Sequence, residues 1–331
     1  MIGNLREFFC QNALRALLVV LVVTVGVCIY IAAALRFDGQ NVHRHQWIAE
    51  FAQVKRLKYR ELRKNEPLIV FSGDSTALYA IDANVLSHTL GRAVFNYGLG
   101  AANGLEFILK ETEKTVLPGD VVILMVADKL LAETGRVYLN EALTAVLNHE
   151  RLFAEPMTRQ IEMLASIPWS ILLFGFPQAD SDSFFEKVYV TSGFDATGTV
   201  NAKHLAEHAP PFLPKQVLPA IPVSDYSLAL LKRYLRKWRR QDIELVVMPS
   251  PRLETYSDRP AYQSTFTANQ QRLRDAGIPV VSFPDGLRDV TYPLSSLYDL
   301  NKHLNPKGRK DFTQKVSDLD WSRVEDTLAR Q

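Results

Sequence analysis

The chain has 331 residues, of which 47% are hydrophobic and 22% charged, a globular composition that excludes a disordered or fibrous protein. Thirty-eight Lys and Arg against 36 Asp and Glu leave a net charge of +2, without the strong basic excess of a dedicated nucleic-acid binder. Both cysteines, Cys10 and Cys28, lie in the first thirty residues, so the rest of the chain holds neither a disulfide framework nor a cysteine-based zinc site.

Residues 16–35 read ALLVVLVVTVGVCIYIAAAL, twenty in a row without a charge. A helix of that length spans roughly 30 Å, the hydrocarbon thickness of a bilayer. A transmembrane helix is therefore expected over 16–35, with residues 1–15 in front of it. A cleaved signal peptide has a shorter apolar region of roughly 7–15 residues; the IAAAL stretch imitates a cleavage site, so that alternative stays open. An acylated Cys28 is rejected, because Val27 precedes it and the apolar run continues beyond it; Cys28 reads as one more apolar side chain. Arg6 and Arg15 before the segment nearly balance Arg36 and Arg44 after it, so the positive-inside count does not orient it.

Residues 36–66 form a basic amphipathic stalk. Ile48, Phe51, Val54 and Leu57 recur at three-residue spacing, surrounded by Lys55, Arg56, Lys58, Arg60, Arg63 and Lys64. Such a helix either contacts anionic lipid head groups or packs on the protein with a solvated basic face; the second reading is preferred. From Pro67 onward short apolar runs alternate with helical patterns. Strands are expected at 67–73, 93–98, 120–128, 243–250 and 278–283, with helices around 76–90, 104–115 and 260–275. The implied fold class is α/β, a flavodoxin-like five-stranded parallel sheet sandwiched by helices over 67–331. A long insert at about 129–222 carries the apolar patch IPWSILLFGFP (167–177), too short to span a bilayer, and a proline-rich run at 209–222. The patch reads as core of the insert, with docking on a membrane partner as its alternative. A helix at 224–240 ends in Lys232, Arg233, Arg236, Lys237, Arg239 and Arg240, a placement that suits the helix dipole or, in the sharper reading, an anionic surface.

The chemistry gathers at strand ends. Gly73-Asp74-Ser75 follows the first strand and opens a helix, where ligands bind in open α/β sheets. Alone, the tripeptide is as often a turn with an N-cap. Near the other end, Asp299 and His303 precede Asn305-Pro306-x-Gly308. A serine nucleophile needs a base within hydrogen-bond reach and an acceptor that fixes the base's tautomer; Ser75, His303 and Asp299 supply these roles if the loops after the first and last strands meet. Of the seven histidines, His43/His45 and His204/His208 are close pairs without a metalloprotease-type glutamate pattern. They read as surface residues, and neither metal nor cofactor is expected.

This constellation resembles the SGNH (GDSL-type) hydrolase superfamily. The resemblance rests on Gly73-Asp74-Ser75, on the Asn96-Tyr97-Gly98-Leu99-Gly100 turn, and on the late Asp…His-Leu-Asn-Pro-x-Gly block, and it covers roughly 67–128 and 243–320. It implies Ser75 as nucleophile, His303 as base, and Gly98 or Gly100 as an oxyanion-hole donor, Gly98 preferred. The chain departs from the family twice. The oxyanion-hole asparagine of the third block is replaced by Ala127 within Met125-Val126-Ala127-Asp128, with Asn103 a possible substitute. Asp299 and His303 are separated by three residues rather than two, which leaves a dyad, Asp285 or Asp289 open. A single amino-terminal membrane helix with a degenerate third block is similar to the extracytoplasmic partners of membrane-bound O-acyltransferases, such as the D-alanine transfer protein of teichoic acid synthesis and the alginate and cellulose acetylation proteins. That likeness implies a single-pass protein of the cytoplasmic membrane, amino terminus inside and main domain outside, working with a membrane-bound O-acyltransferase and membrane lipid. It would move an acyl group, acetyl by preference, to hydroxyls of an envelope or exported polysaccharide. A membrane-anchored esterase and a catalytically inactive glycan-binding scaffold are the alternatives.

Overall fold

The computed structural model describes residues 17–22, 24–33, 43–64, 66–147, 149–174, 193–201, 221–256, 259–298 and 303–322. They fall into two compact units, one drawn from Met1–Gln46 and Leu139–Ala179, the other from Trp47–Tyr138 and Asp180–Gln331. The expectations for residues 1–15, for the His204/His208 pair, for most of the proline-rich run and for Asp299 lie outside the described residues.

The second unit is an α/β domain. Its elements are α1 (His43–Leu62), β1 (Ile69–Gly73), α2 (Ser75–Ala80), α3 (Ala83–Leu90), β2 (Val94–Gly98), α4 (Gly104–Glu113), β3 (Val121–Met125) and α5 (Asp128–Leu131). The other unit contributes α6 (Leu139–Leu147), α7 (His149–Phe153), α8 (Met157–Ala165) and α9 (Trp169–Phe174). The chain then returns to the domain with α10 (Asp225–Arg239), β4 (Glu244–Met248), β5 (Arg252–Leu253), α11 (Pro260–Asp275), β6 (Thr291–Tyr292) and α12 (Pro306–Ser317).

Four strands form one parallel sheet in the order β2-β1-β3-β4. Every residue of β1, β2 and β3 is buried, as expected of parallel strands covered on both faces. Alternation divides the core. Val70, Phe95 and Val122 face one layer, with Phe51 and Tyr59 of α1, Ile108 of α4 and Trp238 of α10. Phe71, Val94 and Ile123 face the other, with Leu86 of α3, Phe266 of α11 and Phe312 of α12.

The expected fifth strand at 278–283 is not a strand of this sheet. It makes a single parallel bridge, Val280 to Val247, with Val247 donating to Pro279 O at 2.9 Å and Val281 donating to Val247 O at 2.9 Å. Pro279 has no N–H to extend the ladder in one direction, and Pro249, just past β4, has none to extend it in the other. The single helix expected at 76–90 is two: α2 stops at Ala80, and Asp82 restarts the chain as α3 by accepting from Val85 N–H. Residues 129–222 are not one insert either, because 193–201 belongs to the α/β domain, where Asn96 N–H donates to Thr197 O at 2.9 Å and Arg309 to Val200 O at 2.6 Å.

The stalk packs against the domain on a different face from the one its three-residue spacing picks out. Its buried stripe is Phe51, Ala52, Lys55 and Tyr59, while Leu57 is 52% exposed. The stripe follows the 3.6-residue period, and its polar members have partners waiting. Tyr59 OH donates to Asp120, and Lys55 Nζ donates to Asn96 O at 2.8 Å and Gly98 O at 3.0 Å, with the rings of Phe51 and Phe194 each 5.1 Å away. Burial holds the Lys55 amine well below the ordinary lysine range. The basic end of α10 is partly spent on α4: Arg233 pairs with Glu106 at 2.9 Å and Lys237 with Glu113 at 2.6 Å.

Among the described residues no helix is long and apolar enough to cross a membrane. Residues 17–22 and 24–33 are helical, and the patch at 167–177 is not wholly core: Ile167 is buried, but Trp169 is 46% exposed.

Candidate functional site

Ser75 is the first residue of α2, immediately after β1. The helix starts there because Asp74 caps it, its buried carboxylate accepting from Thr76 N–H at 2.9 Å and from the Thr76 hydroxyl. The other Asp74 oxygen accepts from Ala127 N–H at 3.3 Å, which ties the end of β3 to the serine turn. From the opposite end of the sequence, His303 brings its Nε2 to 2.8 Å from Ser75 Oγ. Only 6% of Ser75 and 2% of His303 are exposed.

Two local features hold the imidazole. Tyr298 N–H donates to His303 O at 2.8 Å, and Leu297 bridges Leu304, so residues 297–298 pair antiparallel with 303–304. The ring also stacks on Tyr79 of α2, centroids 4.5 Å apart at 26°, and Tyr79 stacks on Tyr298 at 5.6 Å. The helix that carries the serine therefore also orients the histidine. Two residues after His303, Asn305 accepts from Gly308 N–H at 3.0 Å and starts α12.

A separation of 2.8 Å lies within the reach of proton transfer, roughly 2.6–3.2 Å. For Ser75 to donate to Nε2, the neutral imidazole must carry its proton on Nδ1. Asp299 was expected to fix that tautomer and lies outside the described residues. Of the two other carboxylates considered, Asp289 accepts from Asp285 N–H at 2.8 Å and so holds the turn that contains both.

The two glycines of the Asn96–Gly100 turn separate in role. The N–H of Gly98 donates to Asn96 Oδ1 at 2.9 Å, so the preferred oxyanion donor is already engaged. What Gly98 provides is room: a Cβ there would lie 2.3 Å from Leu78 N and 2.6 Å from Leu78 Cα. Gly73 gives the same clearance to β3, where a Cβ would lie 1.8 Å from Met125 O. Gly100 opens the 3₁₀ turn Ala101–Asn103. Asn103 is buried at the start of α4 but does not cap it; the Glu133 carboxylate accepts from Leu105 N–H instead, both oxygens at 3.1 Å. Ala127 presents only a methyl group and the N–H that Asp74 takes.

Three contributors have roles that the sequence did not assign them. Asn96 holds the serine helix from below, its amide donating to Ile81 O at 2.9 Å and Ala77 O at 3.2 Å; an asparagine inside an otherwise apolar buried strand was the available signal. Lys55 pins the carbonyls on either side of Tyr97. Tyr79 stacks the base. The loop beyond α5 adds a cleft of about 280 Å³ lined by Lys129, Glu133, Arg136 and Tyr138.

Gly98→Ala is expected to push α2 off β2. Overpacking of this kind costs about 1–3 kcal/mol, and the displaced Ser75 should lose its alignment with His303. Thermal denaturation of the full chain in detergent and its rate of labelling by a serine-reactive fluorophosphonate would both fall; an unchanged labelling rate would show that the close approach does not position the nucleophile. A comparison of the sequence with protein-family models and with curated proteins returns no match.

Proposed function

We propose that this protein is an SGNH-like acyltransferase, held in the cytoplasmic membrane by residues 16–35, that passes an acyl group through Ser75 to a hydroxyl of an exported or envelope polysaccharide. The observation that carries the reading is the 2.8 Å contact between Ser75 Oγ and His303 Nε2 at the carboxyl ends of the parallel strands. His303 takes the proton as Ser75 attacks the acyl donor, the donor's leaving group departs with a proton, and an acyl-serine remains. A sugar hydroxyl then attacks that ester, again deprotonated by His303, and Ser75 is regenerated. Gly100 N–H and Asn103 are the donors proposed for the oxyanion, and Asp299 the partner of the imidazole. A membrane-bound O-acyltransferase is the proposed supplier of the acyl group. The cleft beside α5 supports an acceptor site, because Tyr138 offers a ring to a sugar face and Lys129 and Arg136 offer donors.

One observation favours a non-catalytic reading: Ala127 lacks the amide that the family uses on the oxyanion, a loss of about 3–4 kcal/mol in transition-state stabilisation. Incubation of the full chain with p-nitrophenyl acetate, quenched and measured by intact mass, separates the possibilities. An acetyl adduct on Ser75 that an oligosaccharide discharges several-fold faster than buffer supports transfer. Equal discharge by water supports the esterase, and no adduct supports the scaffold.

A further inference from the structure

We propose that the exposed apolar edge of α8, at Met157 and Ile161, together with Phe153 and Trp169, rests in the lipid bilayer at its boundary with water. The proposal rests on the anchoring half of the reading above and goes beyond it, because it places helices of the 139–179 segment in contact with lipid.

Helix α8 has one apolar stripe, only part of which the protein covers. Met163 and Leu164, with Ile167 just beyond, are buried. Met157 and Ile161, four residues apart and so on one face, are 70% and 59% exposed, and Phe153 is 61% exposed. A surface helix of a water-soluble domain turns its polar side outward; α8 does so with Glu162, whose side chain is 60% exposed and pairs with Arg159 at 3.1 Å, yet it leaves Met157 and Ile161 uncovered beside it.

The same unit contains the helical residues 17–22 and 24–33, and the two parts are joined. The hydroxyl of Tyr30 donates to Leu164 O and to Ile167 O, the latter at 2.7 Å. Its ring meets Trp169 edge to face at 4.4 Å and 72°. Along the neighbouring turns Leu17, Leu18, Val19, Val20, Leu21 and Val22 are each between 58% and 67% exposed. Six consecutive exposed residues cover every side of a helix, and only hydrocarbon solvates a helix that is apolar all round. The Tyr30–Trp169 pair joins that segment to the helices that expose Met157 and Ile161, and does so with the two side chains that favour the lipid–water boundary. Charged residues on the remaining sides of α8 suit a helix lying in the plane of the interface.

The test uses the full chain with Cys10→Ser and Cys28→Ser, reconstituted in phosphatidylethanolamine–phosphatidylglycerol vesicles and washed with carbonate. A nitroxide is attached in turn at Met157→Cys, Ile161→Cys and Thr134→Cys, the last an exposed position of the α/β domain. Oxygen should reach the labels at 157 and 161 several-fold more readily than a water-soluble nickel complex does, with the order reversed at 134. Nickel access at 157 and 161 equal to that at 134, in chain that stays with the vesicles, overturns the proposal and leaves the anchor standing. Labels shielded from both reagents mean that protein covers the face, which overturns the lipid assignment. Loss of the chain in the wash overturns the anchor itself, and this proposal with it.

Discussion

A fluorophosphonate should add once to the full chain, at Ser75, and Ser75→Ala should remove the adduct completely. The reagent phosphonylates only a serine whose oxygen is being deprotonated as it attacks, so it reports the hydrogen bond to His303 rather than mere exposure. Exposure alone would give little, because Ser75 is 94% covered. His303→Gln keeps a polar side chain of similar reach but cannot act as a base at neutral pH; labelling should slow by roughly 10²–10⁴-fold, the usual worth of general-base assistance. On any turnover the effect should be larger, roughly 10⁶-fold for loss of either member of a serine–histidine unit. Folding should hardly change in Ser75→Ala, which removes one hydrogen bond worth about 1 kcal/mol. A Ser75→Ala protein that still takes up one equivalent of reagent would remove Ser75 from the mechanism, since some other residue would then be the activated one. Tyr79→Leu refines the result. It leaves both reacting atoms in place but withdraws the ring stacked on the imidazole, so a smaller loss of labelling is expected with the adduct still at Ser75.

Much of the framework that positions these atoms was legible. Alternation of apolar runs with helical patterns identified the four strands that pair, because a parallel strand buried on both faces must be apolar throughout. The two halves of the site, 228 residues apart, were readable because each is marked by residues with local structural work: Asp74 caps α2, and Asn305-Pro306 starts α12. What failed was what depends on neighbours. The fifth strand had the right composition, yet Pro279 within it and Pro249 just past β4 limit it to one bridge. The stalk's three-residue spacing selected Leu57, whereas the real face takes in Lys55 and Tyr59, because backbone carbonyls of β2 and the carboxylate of Asp120 are there to receive them. Gly98 was assigned a donor's role from its position in the motif. Its N–H proves to be used by Asn96, two residues earlier on the same strand, and no pattern of spacing reveals that. Asn96 and Tyr79 were passed over for the same reason: their importance lies in which atoms they meet.

Asp128→Ala should cost the fold more than the opposite change, Arg252→Met. Arg252 is 5% exposed and sits just after β4, and Asp128 follows β3 on the same edge of the sheet. The guanidinium donates through Nη1 to Asp128 Oδ2 at 2.9 Å and to Tyr262 OH at 2.7 Å, and through Nε and Nη2 to Ser250 O at 3.2 and 3.1 Å. The Tyr262 hydroxyl in turn donates to Asp128. Removing Asp128 leaves a buried cation facing only neutral acceptors, and breaking a buried pair from one side costs about 3–5 kcal/mol. Removing Arg252 is milder for two reasons. Its partner Asp128 keeps access to water, with its side chain 28% exposed, and the methionine chain fills the apolar groove between Tyr262 and Phe266 that the guanidinium now occupies, 5.4 and 5.1 Å from their ring centroids. Apolar replacements of buried ionic groups are often close to neutral. Urea denaturation of the full chain in detergent measures both variants. Equal losses would mean that packing rather than charge dominates at this edge. The consequence for chemistry follows from connectivity: Asp128 adjoins Ala127, whose N–H holds Asp74, the cap of the serine helix. Asp128→Ala should therefore slow fluorophosphonate labelling of the protein that remains folded, while Arg252→Met should leave it close to wild type.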